Sequence, residues 1–215
     1  MQYQHTDATL AIMKRSPVIP VMQVADAADA LAQTKALIAG GLTVLEITLR
    51  TSAALKSIEM LVRAFPEAVI GAGTITDEDQ MQAAIDAGAA FLVSPGMTRR
   101  LLRPARRSPV PFLPGVATAS EAMALYERGF RCLKFFPAEP AGGAKYLSSL
   151  GGPLPDLVFC PTGGVTPEKA KVYLELRNVA CVGGSWMVAP SLIKAGDYAA
   201  VEQLAKEASA LLTPA

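Results

Sequence analysis

The chain has 215 residues, 51% hydrophobic and 18% charged, with 20 basic and 19 acidic side chains for a net charge of +1. That length and apolar content support one domain with a substantial core, expected over residues 1–215, and the near-zero charge supplies no field to attract nucleic acid or a membrane surface. The single histidine, His5, lies in the terminal segment, which leaves almost no room for His-based metal sites, Ser-His-Asp triads or histidine general bases.

The first sixteen residues contain no apolar h-region, and no run approaches the roughly 18 apolar residues that span a bilayer, so the protein is expected in the cytoplasm. Apolar runs then recur at 17–24, 43–49, 68–74, 89–96, 110–118, 131–137, 156–164 and 179–186. Their starts fall roughly 20 to 26 residues apart, the length of a strand–helix unit. The segments between them, such as DAADALAQTKALIAGG and ASEAMALYERG, open on Asp or Ser and close on Gly, as capped helices do. Continuous rather than alternating apolar strands fit a parallel sheet covered by helices. Eight such units without a composition break predict a single (β/α)8 TIM barrel, with an additional N-terminal helix and another at the C-terminal end. A doubly wound open sheet is the rival, but no GxGxxG or Walker sequence marks a switch point.

In a barrel, function belongs at the C-terminal ends of the strands. In VLEITLRT, Glu46, Thr48 and Arg50 share one strand face while Leu45, Ile47 and Leu49 take the other. In RCLKFFPAE the same parity turns Lys134 inward, away from Leu133 and Phe135, and sets it beside Phe136 and Pro137. Desolvation and a neighbouring guanidinium both favour the uncharged amine. An amine of that kind facing a carboxyl group is the pairing that Schiff-base chemistry requires. The bland alternatives are a structural Glu–Arg pair and a snorkelling lysine.

Gly163 and Gly164 follow the seventh run, and Gly183, Gly184 and Ser185 follow the eighth. Loops in those places are the usual phosphate seat of such barrels, where glycine lets backbone N–H groups approach an anion. Thr74 in GAGT is placed to bind a substrate carboxylate, to cap the next helix, or to do both, and Pro95 in SPG shapes the mouth. Cys132, Cys160 and Cys181 form no CxxC pair and read as reduced, barrel-filling thiols. The Arg99–Arg107 cluster RRLLRPARR reads as a solvated helix face.

Together GLTVLEITLR, GAGT, SPG, GFRCLKFFPAEPAG, PTGGV and GGSW closely resemble the 2-keto-3-deoxy-6-phosphogluconate (KDPG) and 4-hydroxy-2-oxoglutarate (KHG) aldolases, across essentially the whole chain. The resemblance implies a lyase of carbohydrate metabolism. It would cleave 2-dehydro-3-deoxy-6-phospho-D-gluconate to pyruvate and D-glyceraldehyde 3-phosphate, in the Entner–Doudoroff pathway, with 4-hydroxy-2-oxoglutarate as a further substrate. It makes Lys134 the Schiff-base residue and Glu46 the acid/base, with Arg50 and Thr74 holding the carboxylate. Gly163, Gly164, Gly184 and Ser185 would bind phosphate, with Thr162, Pro95 and Phe136 in the pocket. It further implies a class I homotrimer with no metal and no cofactor beyond the imine on Lys134. The competing reading is a phosphate-binding barrel isomerase or synthase in which Lys134 only contacts a substrate anion.

Overall fold

The structure is a computed structural model that describes Tyr3 and residues 5–211. Helix α1 (Thr6–Lys14) precedes an alternation of strands and helices: β1 (Val18–Met22), α2 (Ala27–Ala39), β2 (Val44–Thr48), α3 (Ala54–Ala64), β3 (Val69–Gly73), α4 (Glu78–Asp86), β4 (Leu92–Val93) and α5 (Arg99–Arg107). Next come β5 (Phe112–Leu113), β6 (Gly115–Val116), α6 (Ala119–Glu127), β7 (Cys132–Phe135), α7 (Gly143–Leu150), β8 (Val158–Pro161), α8 (Pro167–Leu174) and β9 (Val182–Gly184). A 3-10 turn at Trp186–Val188, α9 (Pro190–Ala195) and α10 (Tyr198–Ser209) complete it. Side chains of Asp26, Asp77, Thr98, Thr118, Thr166 and Asp197 accept N–H groups of the first turns of α2, α4, α5, α6, α8 and α10. Each such cap is worth about 1 kcal/mol, and Thr serves here as often as Asp.

Every strand pair is parallel. The strands form a six-stranded sheet in the order β5-β4-β3-β2-β1-β9 and a three-stranded sheet β6-β7-β8. This differs from one continuous eight-stranded sheet: the fifth apolar run is split at Pro114, which has no N–H to give to a ladder. Its carbonyl still accepts the Lys134 N–H at 2.9 Å. Isolated parallel bridges, Phe159 to Val179 and Thr162 to Gly183, connect the β8 and β9 segments.

Apolar side chains separate into two layers by strand parity. Ile19, Val44, Phe91, Val93, Leu113, Cys132, Cys160 and Cys181 form an inner cluster with Met13 of α1. Leu45, Ile47, Leu133 and Phe135 join the larger cluster that includes helix residues such as Leu37, Ile58 and Leu147. Glu46 and Lys134 therefore project to the inner side, as the alternation in sequence requires. Among the described residues no helix is long and apolar enough to cross a membrane.

Candidate active site

Lys134 on β7 and Glu46 on β2 meet across the inner layer. The Lys134 Nζ lies 3.1 Å from Glu46 Oε1 and 3.4 Å from Oε2. Their side chains are 6% and 5% exposed. Lysines and glutamates are almost never buried this deeply without a partner, and the partner here comes from 88 residues away in sequence. The Glu46 side chain packs against Gly73, where any Cβ would run into it. The Phe136 ring centroid is 5.4 Å from Nζ, so one side of the amine faces an aromatic surface instead of water.

Arg50 lies past the end of β2, in an exposed turn rather than on the strand face. Its Nε donates to Thr74 Oγ1 at 3.1 Å. Thr74 has φ 64°, the one positive φ of a non-glycine residue among those described. A β-branched residue there is a genuine outlier, and such positions store about 1–3 kcal/mol of strain, characteristically at ligand-binding sites. The cap of α4 is Asp77, so Thr74 is not that helix's cap. Thr48, on the same face as Glu46, is buried with its hydroxyl donated to the Met22 carbonyl at 2.8 Å. It has a structural partner already.

Phe136, Thr162, Gly163, Gly164, Gly184 and Ser185 join Lys134 and Arg50 around one cavity of about 230 Å³. Gly183, from the expected phosphate loop, lines it too, and so do Val21, Val165 and Trp186, which were not singled out as site residues from the sequence. Trp186 had a signal: it is the chain's sole tryptophan, and its indole covers Gly184 so closely that a Cβ has no room. Val21 and Val165 had none, since apolar residues beside strand ends are ordinary. Gly163 and Gly164 have φ of 102° and 77°, values that glycine alone adopts without penalty. Pro95 stands outside this lining; its backbone packs on Gly115, the register partner of Lys134. A second cavity of about 530 Å³ adjoins the first through Val21, Arg50 and Ser185 and reaches α9.

All three thiols are buried. Burial, with a smaller push from Asp7, raises the Cys132 thiol to about 12. A hydrogen bond with Cys160, and then burial, keep the Cys181 thiol well above its ordinary range. Cys132 and Cys181 are therefore protonated, inert fillers.

The geometry thus sets a buried amine, a guanidinium and two glycine-rich turns on one cavity, with a carboxylate in direct contact with the amine. A model of the KDPG and KHG aldolase family matches residues 10–204. The chain belongs to that family. A 2-dehydro-3-deoxy-phosphogluconate aldolase of Pseudomonas aeruginosa is 47% identical over 205 residues, covering 95% of this chain and 93% of its own. A KDPG aldolase of Legionella pneumophila, with pyruvate captured as a covalent carbinolamine, superposes with TM-score 0.91 at 44% identity. The match covers 94% of this chain and 98% of that one. The enzyme of Zymomonas mobilis ZM4, solved with 3-phosphoglycerate, gives TM-score 0.88 at 44% identity, over 94% and 95% of the two chains.

Proposed function

We propose that the protein is a class I aldolase that cleaves 2-dehydro-3-deoxy-6-phospho-D-gluconate to pyruvate and D-glyceraldehyde 3-phosphate. The observation that carries this is the buried contact of 3.1 Å between Lys134 Nζ and Glu46 Oε1, beside a cavity lined by both glycine turns. Lys134 hands a proton to Glu46 across that contact and its freed amine adds to the C2 ketone. The carbinolamine hydroxyl takes a proton back and leaves as water, giving a protonated imine. Glu46, directly or through one water, then accepts the C4 hydroxyl proton. The C3–C4 bond breaks with its electron pair entering the imine, and the aldehyde departs. Protonation of the enamine at C3 and addition of water release pyruvate and restore Lys134.

Arg50 and Thr74 hold the carboxylate next to C2, and their 3.1 Å hydrogen bond fixes the fork in advance. The N–H groups around Gly163, Gly164, Gly184 and Ser185 receive the phosphate; the solved relative with 3-phosphoglycerate supports a phosphorylated ligand. Phe136, Thr162 and Pro95 shape the space between these two anchors. The imine on Lys134 is the reaction's electron sink, and the scheme calls on no metal. The same imine serves 4-hydroxy-2-oxoglutarate, which lacks the phosphate.

The two sheets are read as arcs of one closed (β/α)8 barrel, with β5 and β6 one strand interrupted at Pro114 and the bridges between β8 and β9 closing the ring. The whole of 1–215 is then one domain, which works in the cytoplasm as a homotrimer. The test is pyruvate release from the phosphorylated substrate, followed by coupled lactate dehydrogenase with a chelator present. Wild type should turn over and Lys134→Ala should not. Release that survives Lys134→Ala would exclude the mechanism and favour an anion-contacting role for the lysine.

A further inference from the structure

Behind the first glycine turn lies a polar arrangement that the proposed mechanism does not use. Glu139 follows β7 on the turn that enters α7 and is about three-quarters buried. Its Oε1 accepts the Tyr173 hydroxyl at 2.7 Å, and its Oε2 pairs with Lys169 Nζ at 2.6 Å. Tyr173 is fully buried and Lys169 sits in the first turn of α8, the helix that starts three residues after Gly164. The Lys169 hydrogen bond, against some desolvation and with help from Tyr173, holds the Glu139 carboxyl below the usual range, so it is ionised at neutral pH.

The backbone of the same segment grips the glycine turn. The Glu139 N–H donates to the Gly163 carbonyl at 3.1 Å and the Ala138 N–H to the Thr162 carbonyl at 2.8 Å. The Glu139 Cβ and Cγ press on Gly164 so closely that a Cβ there would approach to 2.9 Å. One side chain therefore touches the floor of the turn, the start of the following helix and a buried residue one turn further on. With the carbonyls of residues 162 and 163 held by 138–139, the planar trans peptides turn the N–H groups of Gly163 and Gly164 away from that segment.

We infer that Glu139, with Tyr173 and Lys169, is a positioning residue that fixes the orientation of the turn at 163–164 and so sets the preference for phosphorylated over unphosphorylated substrate. The inference rests on the aldolase reading. Glu139 does not line the cavity with Lys134, so its effect acts through the turn and reaches only the part of the substrate that the turn holds. The ionised carboxylate also neutralises Lys169, which would otherwise be a second, unplaced attraction for the phosphate.

The experiment compares Tyr173→Phe, Glu139→Gln and Glu139→Ala on two substrates, the phosphorylated six-carbon keto acid and 4-hydroxy-2-oxoglutarate, with inorganic phosphate as a competitive inhibitor. Removing a charge-assisted anchor should raise KM for the phosphorylated substrate and Ki for phosphate roughly tenfold in Glu139→Ala. Its kcat, and the kinetics of the short substrate, should change less than about twofold, since the turn is loosened and the reacting centre is not. Glu139→Gln retains an acceptor for Tyr173 and should recover part of the loss. Tyr173→Phe, the mildest change, should show the same split even if Glu139→Ala folds poorly. Equal losses on both substrates, or no change on either, would overturn the positioning role. A wild type that processes neither substrate and forms no reducible adduct with pyruvate would instead defeat the aldolase reading, and this inference with it.

Discussion

At the scale of single residues, chemistry and folding both depend on a charge pair that is stable only because it is complete. Lys134 and Glu46 are both buried and each is the other's partner, so truncating either affects chemistry and folding together. Glu46→Gln preserves shape and a hydrogen-bond acceptor while removing the proton shuttle. Its kcat should fall by about 10²–10⁴, the usual range for a lost general acid–base group, and circular dichroism should be unchanged. Thr74 offers a different test. Replacing it with glycine removes the side chain from a positive φ and should stabilise the protein by about 1 kcal/mol in urea. The variant loses the hydroxyl that accepts from Arg50, so KM for the keto acid should rise. Stability and binding moving in opposite directions would show that the strain serves the site.

At the scale of elements, the glycine turns are where side chains are forbidden by space. Gly164→Ala combines a φ of 77° with a contact of 2.9 Å to Glu139. It should cost about 1–2 kcal/mol for the left-handed conformation alone, read as a lower urea midpoint at unchanged slope. The tie between Glu139 and α8 also has a pH signature. Because its folded-state value is lowered, its stabilising contribution is present above the ordinary glutamate range and is lost as pH falls through the lowered value. Wild type should therefore lose more of its urea midpoint below about pH 4.5 than Glu139→Gln does. What was legible in the sequence here was parity. Alternation alone turned Glu46 and Lys134 to the same side, because the two faces of a strand have no other way to divide polar and apolar neighbours. Less legible was where strands stop. Arg50 continues the i, i+2, i+4 pattern of Glu46 and Thr48, yet β2 ends at Thr48, since the Arg50 N–H turns back to the Thr48 carbonyl at 2.8 Å. The Glu139–Tyr173–Lys169 arrangement gave no signal, because its members are isolated in sequence and only the fold brings them together.

At the scale of the whole molecule, repetition was the strongest sequence signal: all eight apolar runs contain strand residues at the expected spacing. Pro114 is the exception that periodicity does not register, an apolar residue that satisfies the pattern but not the ladder. If the two sheets form a single closed domain, urea unfolding followed by tryptophan fluorescence and by circular dichroism should give one coincident transition. Trp186, beside Gly184 in the cavity, reports on the mouth, while circular dichroism reports on the helices. Separate transitions would divide the molecule at Pro114. Sedimentation should give three times the chain mass of 22.5 kDa.

The imine on Lys134 can be trapped and located. Protein incubated with pyruvate and borohydride is digested and its peptides are sequenced by mass spectrometry. A single reduced pyruvate adduct is expected on Lys134, absent without pyruvate and absent in Lys134→Ala. A fully active enzyme that carries no adduct on Lys134, or carries it on another lysine, would contradict an imine on Lys134.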